Sequence, residues 1–162
     1  MQEKERVFFS VCSAILKMEV EKGHLGWTLS DISRESNITR SLIYYYFGKE
    51  KDQILHEAYK FIIATFFEHD PQGSVPKRMK VILQQVKLMP YLFVLFYLQR
   101  DLDTEVGQMI RTAEALSLKN LQSSYPHLNE QQVKALYMKE LGAIAFHLPP
   151  EEVDDYFAEY KK

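Results

Sequence analysis

Residues 23–55, GHLGWTLSDISRESNITRSLIYYYFGKEKDQIL, constrain the fold more than any other part of the chain. They read as a short helix over about 30–36, a tight turn, and a second helix over about 40–47 loaded with tyrosines. Leu29 and Ile32 point inward from the first helix, and the small Ser33 sits where two helices must approach closely. Asn37 falls in the turn, where a residue tolerant of left-handed backbone is needed, and Ile38 plugs the angle between the helices. Thr39 is placed to cap the second helix. This is a helix-turn-helix whose second helix has one face for packing and another for something outside the protein.

At about 100° per residue that second helix divides cleanly. Leu42, Ile43, Tyr46 and Phe47 fall on one side with Thr39. Arg40, Ser41, Tyr44 and Tyr45 fall within an arc of about 140° on the other. The outer set offers a guanidinium, a hydroxyl and two flat rings ending in phenols. Groups of this kind near a helix N-terminus suit readout of base edges in a DNA major groove. Thr28 and Lys51, each at the start of a flanking helix, suit phosphate anchoring because helix N-termini attract anions.

The rest of the chain reads as helix as well, since apolar residues recur at three- and four-residue steps and alternating runs are absent. Helix 1 covers about 3–21 and helix 4 about 51–69; DPQGSVP at 70–76 is the clearest breaker cluster and reads as a joint in the chain, while the proposed units are 1–50 and 51–162. Further helices are expected over about 77–89, 103–123 and 129–148, with an aromatic segment after Pro90. A last helix starts at Pro149-Pro150, with acids in its first turn and Lys161-Lys162 at its end. No apolar run is long enough to span a bilayer, and no secretory leader opens the sequence. The single cysteine, Cys12, excludes an internal disulfide and fits a reducing cytoplasm.

Net charge is −2. Residues 1–60 hold nine Lys/Arg against nine Asp/Glu, and the remainder eleven against thirteen. No part is a polycation, so DNA binding would rest on a few placed groups doubled by dimerisation rather than on bulk charge.

Gly23, Thr28, Leu29, Asp31, Ile32, Ser33, Ser36, Asn37, Ile38, Thr39, Ile43, Tyr44, Tyr46, Phe47 and Lys51 follow a pattern that resembles the tetracycline-repressor (TetR) family of bacterial regulators. The resemblance covers about a third of the chain. It implies an all-α protein with an N-terminal three-helix DNA-binding domain and a C-terminal helical domain for ligand binding and dimerisation. It further implies a cytoplasmic homodimer, binding near-palindromic operator DNA and released when a small effector reorients helix 4. Two positions depart from the pattern. Gly48, Lys49 and Glu50 separate Phe47 from Lys51, one residue more than usual, which makes Lys49 a rival to Lys51 for the phosphate contact. His24 stands where an aromatic residue is common.

Both sides of the 129–148 helix are apolar. Val133, Tyr137, Leu141, Ile144 and Leu148 form a stripe of large residues, and Ala135, Met138, Gly142 and Ala145 a stripe of mostly small ones. The second stripe reads as a dimer contact, joined by Val153, Tyr156, Phe157 and Tyr160 of the last helix. Burial of both stripes within one subunit is the alternative. Tyr91, Phe93, Phe96 and Tyr97 read either as core or as the wall of a pocket for an apolar or amphipathic effector. Phe61, Thr65, Met79, Leu83, Met109, Tyr137 and His147 are candidates to join that wall. No metal-ligand spacing, phosphate loop or nucleophile–base set is present, so no catalytic residue, metal or cofactor is assigned. The near-neutral first 60 residues keep a second reading open, a dimeric helical protein-interaction module without specific DNA binding.

Overall fold

A computed structural model describes residues 3–67 and 74–160, without the side chains of residues 67 and 95. Among them the chain forms helices and no strand: α1 (Glu3–Lys22), α2 (Leu29–Ser36), α3 (Arg40–Phe47), α4 (Lys51–Phe67), α5 (Val75–Val86), α6 (Leu92–Gln99), α7 (Glu105–Ser124), α8 (Glu130–Ala145) and α9 (Val153–Tyr156). A short 3₁₀ turn, Ala158–Tyr160, follows α9. The all-α architecture expected from the apolar periodicity is present. Most of the 70–76 breaker, the end of the expected helix 4 and Lys161-Lys162 lie outside the described residues.

The first three helices owe their ends to local chemistry. Gly23 takes φ 70° and closes α1, its N–H donating to the Glu19 carbonyl at 3.2 Å. Thr28 and Asp31 cap α2 reciprocally: the Thr28 N–H and hydroxyl each donate to Asp31 Oδ2 at 2.8 Å, and the Asp31 N–H donates to Thr28 Oγ1 at 3.4 Å. Lys22 and Arg34 donate to the other oxygen of Asp31, at 3.0 and 2.8 Å. Asn37 at φ 56° makes the turn, and Thr39 accepts the Leu42 N–H to start α3.

The buried apolar residues form one large cluster reaching from Val11 and Ile15 on α1 through Phe47, Ile54 and Met79 to Leu136 and Phe157. Helices α1 and α4 carry it from the helix-turn-helix into the rest of the chain. The Cys12 thiol, fully buried, donates weakly to the Ala58 carbonyl at 3.8 Å, and burial pushes its pKa well up. Phe8 packs against Phe47, Phe61 and Tyr46 with ring centroids 4.6, 5.0 and 5.5 Å away.

The C-terminus differs from expectation. Helix α8 stops at Ala145 rather than near 148, because His147 adopts φ 52° and a Schellman cap forms. The Leu148 N–H donates to the Ala143 carbonyl at 2.9 Å, and the His147 N–H to that of Ile144 at 3.2 Å. The expected last helix shrinks to the single turn of α9. One turn cannot sustain itself by backbone propagation. Side-chain packing holds it: Val153 and Phe157 are fully buried, Lys80 pairs with Asp154 at 2.5 Å, and the Tyr125 hydroxyl joins the Val75 N–H to the Tyr160 carbonyl.

Left-handed backbone is costly for a side chain with a Cβ, so His147→Gly should stabilise the protein by roughly 0.5–1 kcal/mol. Thermal melts check this as a rise of about 1–4 °C. The two Thr28 donors, then Lys22, hold the Asp31 carboxyl far below the ordinary range. Its contribution is present above the unfolded value of about 3.9 and is lost as pH falls through the lower folded value. Asp31→Asn should therefore lower the melting temperature at pH 6 and flatten its decline below pH 4; parallel curves for the two proteins would contradict this role.

Candidate nucleic-acid interface and effector cavity

Helix α3 is anchored by what it buries. Ile43 and Phe47 are closed off from solvent, while Leu42 and Tyr46 are half-buried against the core. Arg40, Ser41, Tyr44 and Tyr45 are all exposed, Tyr45 at 78%. The Tyr45 ring stands edge-on to Tyr46 at 4.8 Å, and Lys4 lies 5.8 Å above the Tyr46 ring. One rigid surface thus presents a guanidinium, a hydroxyl and two phenols side by side. The turn beneath it is pinned by Ser33 and Ser36, whose hydroxyls donate to the Ile38 and Ile32 carbonyls at 2.7 Å each.

The flanking candidates separate by what they already hold. The Thr28 hydroxyl and N–H are both engaged with Asp31. Thr39 is exposed and uses its oxygen as an acceptor from Leu42. Lys51 turns inward. Its ammonium donates to the His24 carbonyl and to the Trp27 carbonyl at 3.1 Å, and lies 3.9 Å from the centre of the Trp27 ring. Trp27 is itself buried, with its indole N–H donating to Glu19. Two carbonyl dipoles and a π-face make a complete seat for a cation. Lys51 therefore clips the α1–α2 connector to the start of α4, whereas Lys49 stands exposed in the loop before it.

A cleft of about 770 Å³, counting the solvent at its mouth, opens among α4, α5, α6, α7 and α8. Of the expected pocket residues it brings together Phe93, Phe96 and Tyr137. The others lie elsewhere. Phe61 packs on Phe8 and Phe9, while Met79 and Leu83 are in the main core. Met109 packs with Ile63 and Ile110, and Thr65 does not line the cleft. Tyr91 donates its hydroxyl to Glu21 on α1 at 2.9 Å. Tyr97 is 80% exposed, and His147 is exposed in the cap of α8.

The remaining wall was not anticipated: Phe66 of α4, Ile82 of α5, Leu92 of α6, Leu121 of α7, and Leu141 and Ile144 of α8. Nor were its polar members, Ser117, Asn120 and an ion pair between Arg78 and Glu140. Burial pushes the Glu140 carboxyl upward and Arg78 opposes it. The sequence did carry a signal, since Glu140 interrupts the large apolar stripe Tyr137, Leu141, Ile144. Beside it the Tyr137 hydroxyl donates to Glu114 at 3.2 Å, and Arg100 Nε holds the same carboxylate at 2.7 Å. Burial, then Glu114, pushes the Tyr137 phenol well up, so it stays a donor.

On the opposite side of α8, Ala135 and Met138 are exposed, Met138 at 65%, and Gly142 and Ala145 are half-buried. A Cβ added at Gly142 would meet open space, so packing within the chain does not require glycine there. Of the residues expected beside them, Tyr156 is exposed and Tyr160 is half-buried against Tyr125. Val153 and Phe157 belong to the subunit's own core and have no surface to offer a partner. Among the described residues no cluster of His, Cys, Asp and Glu could hold a metal ion, and no helix is long and apolar enough to cross a membrane.

Residues 13–58 match the profile of the bacterial regulatory proteins of the tetR family. Among solved structures, the fold is similar to that of HlyIIR, a hemolysin II transcriptional regulator, with 15% identity and a TM-score of 0.54 over 99% of both chains. A HlyIIR mutant carrying a linker with two thrombin sites compares at 15% identity and a TM-score of 0.55, over 96% of this chain and 97% of that one. No curated protein sequence matches the chain. At such identity the structural likeness speaks for the fold, and the matched profile, which runs from the second half of α1 through α2 and α3 into the first half of α4, speaks for the N-terminal domain. Residues 13–58 thus carry the helix-turn-helix domain of the bacterial tetR-family regulatory proteins, and the chain as a whole is similar in fold to HlyIIR.

Proposed function

We propose that the protein is a cytoplasmic homodimeric repressor that binds near-palindromic operator DNA and is released by a small, mainly apolar effector. The observation that carries the reading is the division of α3: Ile43 and Phe47 locked in the core, and Arg40, Ser41, Tyr44 and Tyr45 held outward on the same two turns. Arg40 can grip a guanine edge or a phosphate, the tyrosine rings can lie on thymine methyls, and Ser41 can serve either. Thr39 and Lys49 serve as the phosphate contacts, while Thr28 and Lys51 keep the head in shape.

Net charge near zero supports the dimer. One head with so few cations binds weakly, and two heads on half-sites one helical turn apart add their contacts. The flat α8 face, with Ala135, Met138, Gly142, Ala145 and the nearby Tyr156, is the proposed contact between subunits. The units divide at about residue 50, a reading head before it and an effector and dimerisation domain over 51–162. Two connections support coupling between them. Phe66 at one end of α4 lines the cleft while Lys51 at the other holds the head, and Tyr91 at the start of α6 is tied to Glu21 on α1. An effector wedged against Phe93 and Phe96 would displace both. HlyIIR, similar in fold, is described as a transcriptional regulator, which supports the same role here.

Mobility-shift titration against the promoter region of its own gene tests the reading. Arg40→Ala and Tyr45→Ala should each weaken specific binding about 5- to 150-fold. Equal, feeble binding to all sequences would instead favour a protein-interaction module. Lys49→Ala should weaken binding to every sequence alike and reduce the slope of log K against log salt by about 1. Lys51→Met should lower the melting temperature and leave that slope unchanged; the reverse assignment of the two effects would return the phosphate contact to Lys51. Gly142→Glu should convert the dimer to a monomer in light scattering.

A further inference from the structure

We propose that the cleft among α4–α8 selects uncharged ligands, flat or elongated and mainly apolar with one hydrogen-bonding group, because the charges in its wall, Arg78 and Glu140, neutralise each other and leave no counter-ion for a ligand. The proposal deepens the effector reading above and rests on it.

The wall is apolar over most of its extent, with Phe66, Phe93, Phe96 and Ile144 on three different helices. Its charged groups are confined to one pole and cancel there. Arg78 on α5 and Glu140 on α8 have side chains only 13% and 10% exposed and are hydrogen-bonded to each other. The second buried acid nearby, Glu114, is held by Arg100 and accepts from Tyr137. Two carboxylates therefore face two guanidinium groups, and none is left over to neutralise a ligand. A charged ligand entering this wall would lose its hydration without gaining a counter-ion, unless it broke the pair and stranded one of the two buried charges.

An uncharged ligand meets no such penalty. A guanidinium has five N–H donors and Arg78 commits Nη2 to Glu140, so donors remain for a carbonyl, ether or hydroxyl oxygen. The Glu140 carboxylate and the Asn120 amide can accept from an N–H or O–H. The pole thus reads the position of a polar group and discriminates against net charge.

A matched pair of fluorescent probes tests this, because N-phenyl-1-naphthylamine and 1-anilinonaphthalene-8-sulfonate share one ring system and differ by a sulfonate. The full-length protein should bind the uncharged amine about tenfold or more tightly than the sulfonate. Ile144→Trp, which fills the cleft, should abolish the amine signal. Glu140→Gln leaves Arg78 uncompensated and should shift the ratio towards the sulfonate by about tenfold. The charge-neutral double substitution Arg78→Met with Glu140→Met should keep the preference for the amine, which guards against a fold lost to one stranded charge. Sulfonate binding as tight as the amine in the unaltered protein, sensitive to Ile144→Trp, overturns charge selection while leaving the effector cavity in place. Binding of neither probe, or amine binding indifferent to Ile144→Trp, overturns the cavity reading itself and the proposal with it.

Discussion

Helix α4 takes part in both halves of the molecule, and the geometry of each half depends on how its ends are held. At its first residue the Lys51 ammonium is seated on two carbonyls and the Trp27 indole, which ties the connector after α1 to the helix that follows the reading head. In its middle, Ile54 and Ala58 are buried with α1. Near its end, Phe66 forms part of the cleft wall. A helix of 17 residues is about 25 Å long and stiff. Because packed interiors do not absorb displacement by compressing, a push on Phe66 must be taken up by rotation of the whole helix or by movement at Lys51. A continuous apolar core joins the helix-turn-helix to the helices around the cleft.

Several cations are engaged with groups of the fold itself. Lys22 and Arg34 serve Asp31, Lys51 serves the connector, Arg78 serves Glu140 and Arg100 serves Glu114. These cations hold helices in register instead of attracting a polyanion from a distance. A chain of net charge −2 can thus carry the helix-turn-helix domain matched at residues 13–58 without a polycationic surface. The outer face of α3 is held in place by the hydroxyl and carboxylate caps of the helix-turn-helix.

Particular residues mark the limit of what could be read in advance. The ends of α2 and α3 agree with expectation to within a residue, because Thr28, Asn37, Thr39 and Gly48 act on backbone only a few positions away. Lys51 illustrates the opposite case. Its place at a helix start favours an anion, and only the folded connector reveals two carbonyls and an indole waiting for it. Phe61 and Met79 have the right chemistry for a cavity wall, yet they fill space that other helices close over. Val153 and Phe157 have the spacing of an interface helix, but a single turn packed on α5 and α8 draws both into the subunit. His147 has the chemistry of a pocket residue, yet its left-handed backbone serves to end α8.

By itself the sequence determined the helical class, the helix-turn-helix and the division of α3 into an inner and an outer face. Periodicity and capping act over a handful of residues, so these properties do not wait for the rest of the chain. Tertiary structure alone decided which cations are engaged, which aromatic residues border empty space and where the last helix ends. Those outcomes depend on pairs far apart in sequence, such as Lys51 with Trp27, 24 positions away, and Arg78 with Glu140, 62 positions away. A void or an ion pair between such residues exists only once the helices carrying them have been packed together.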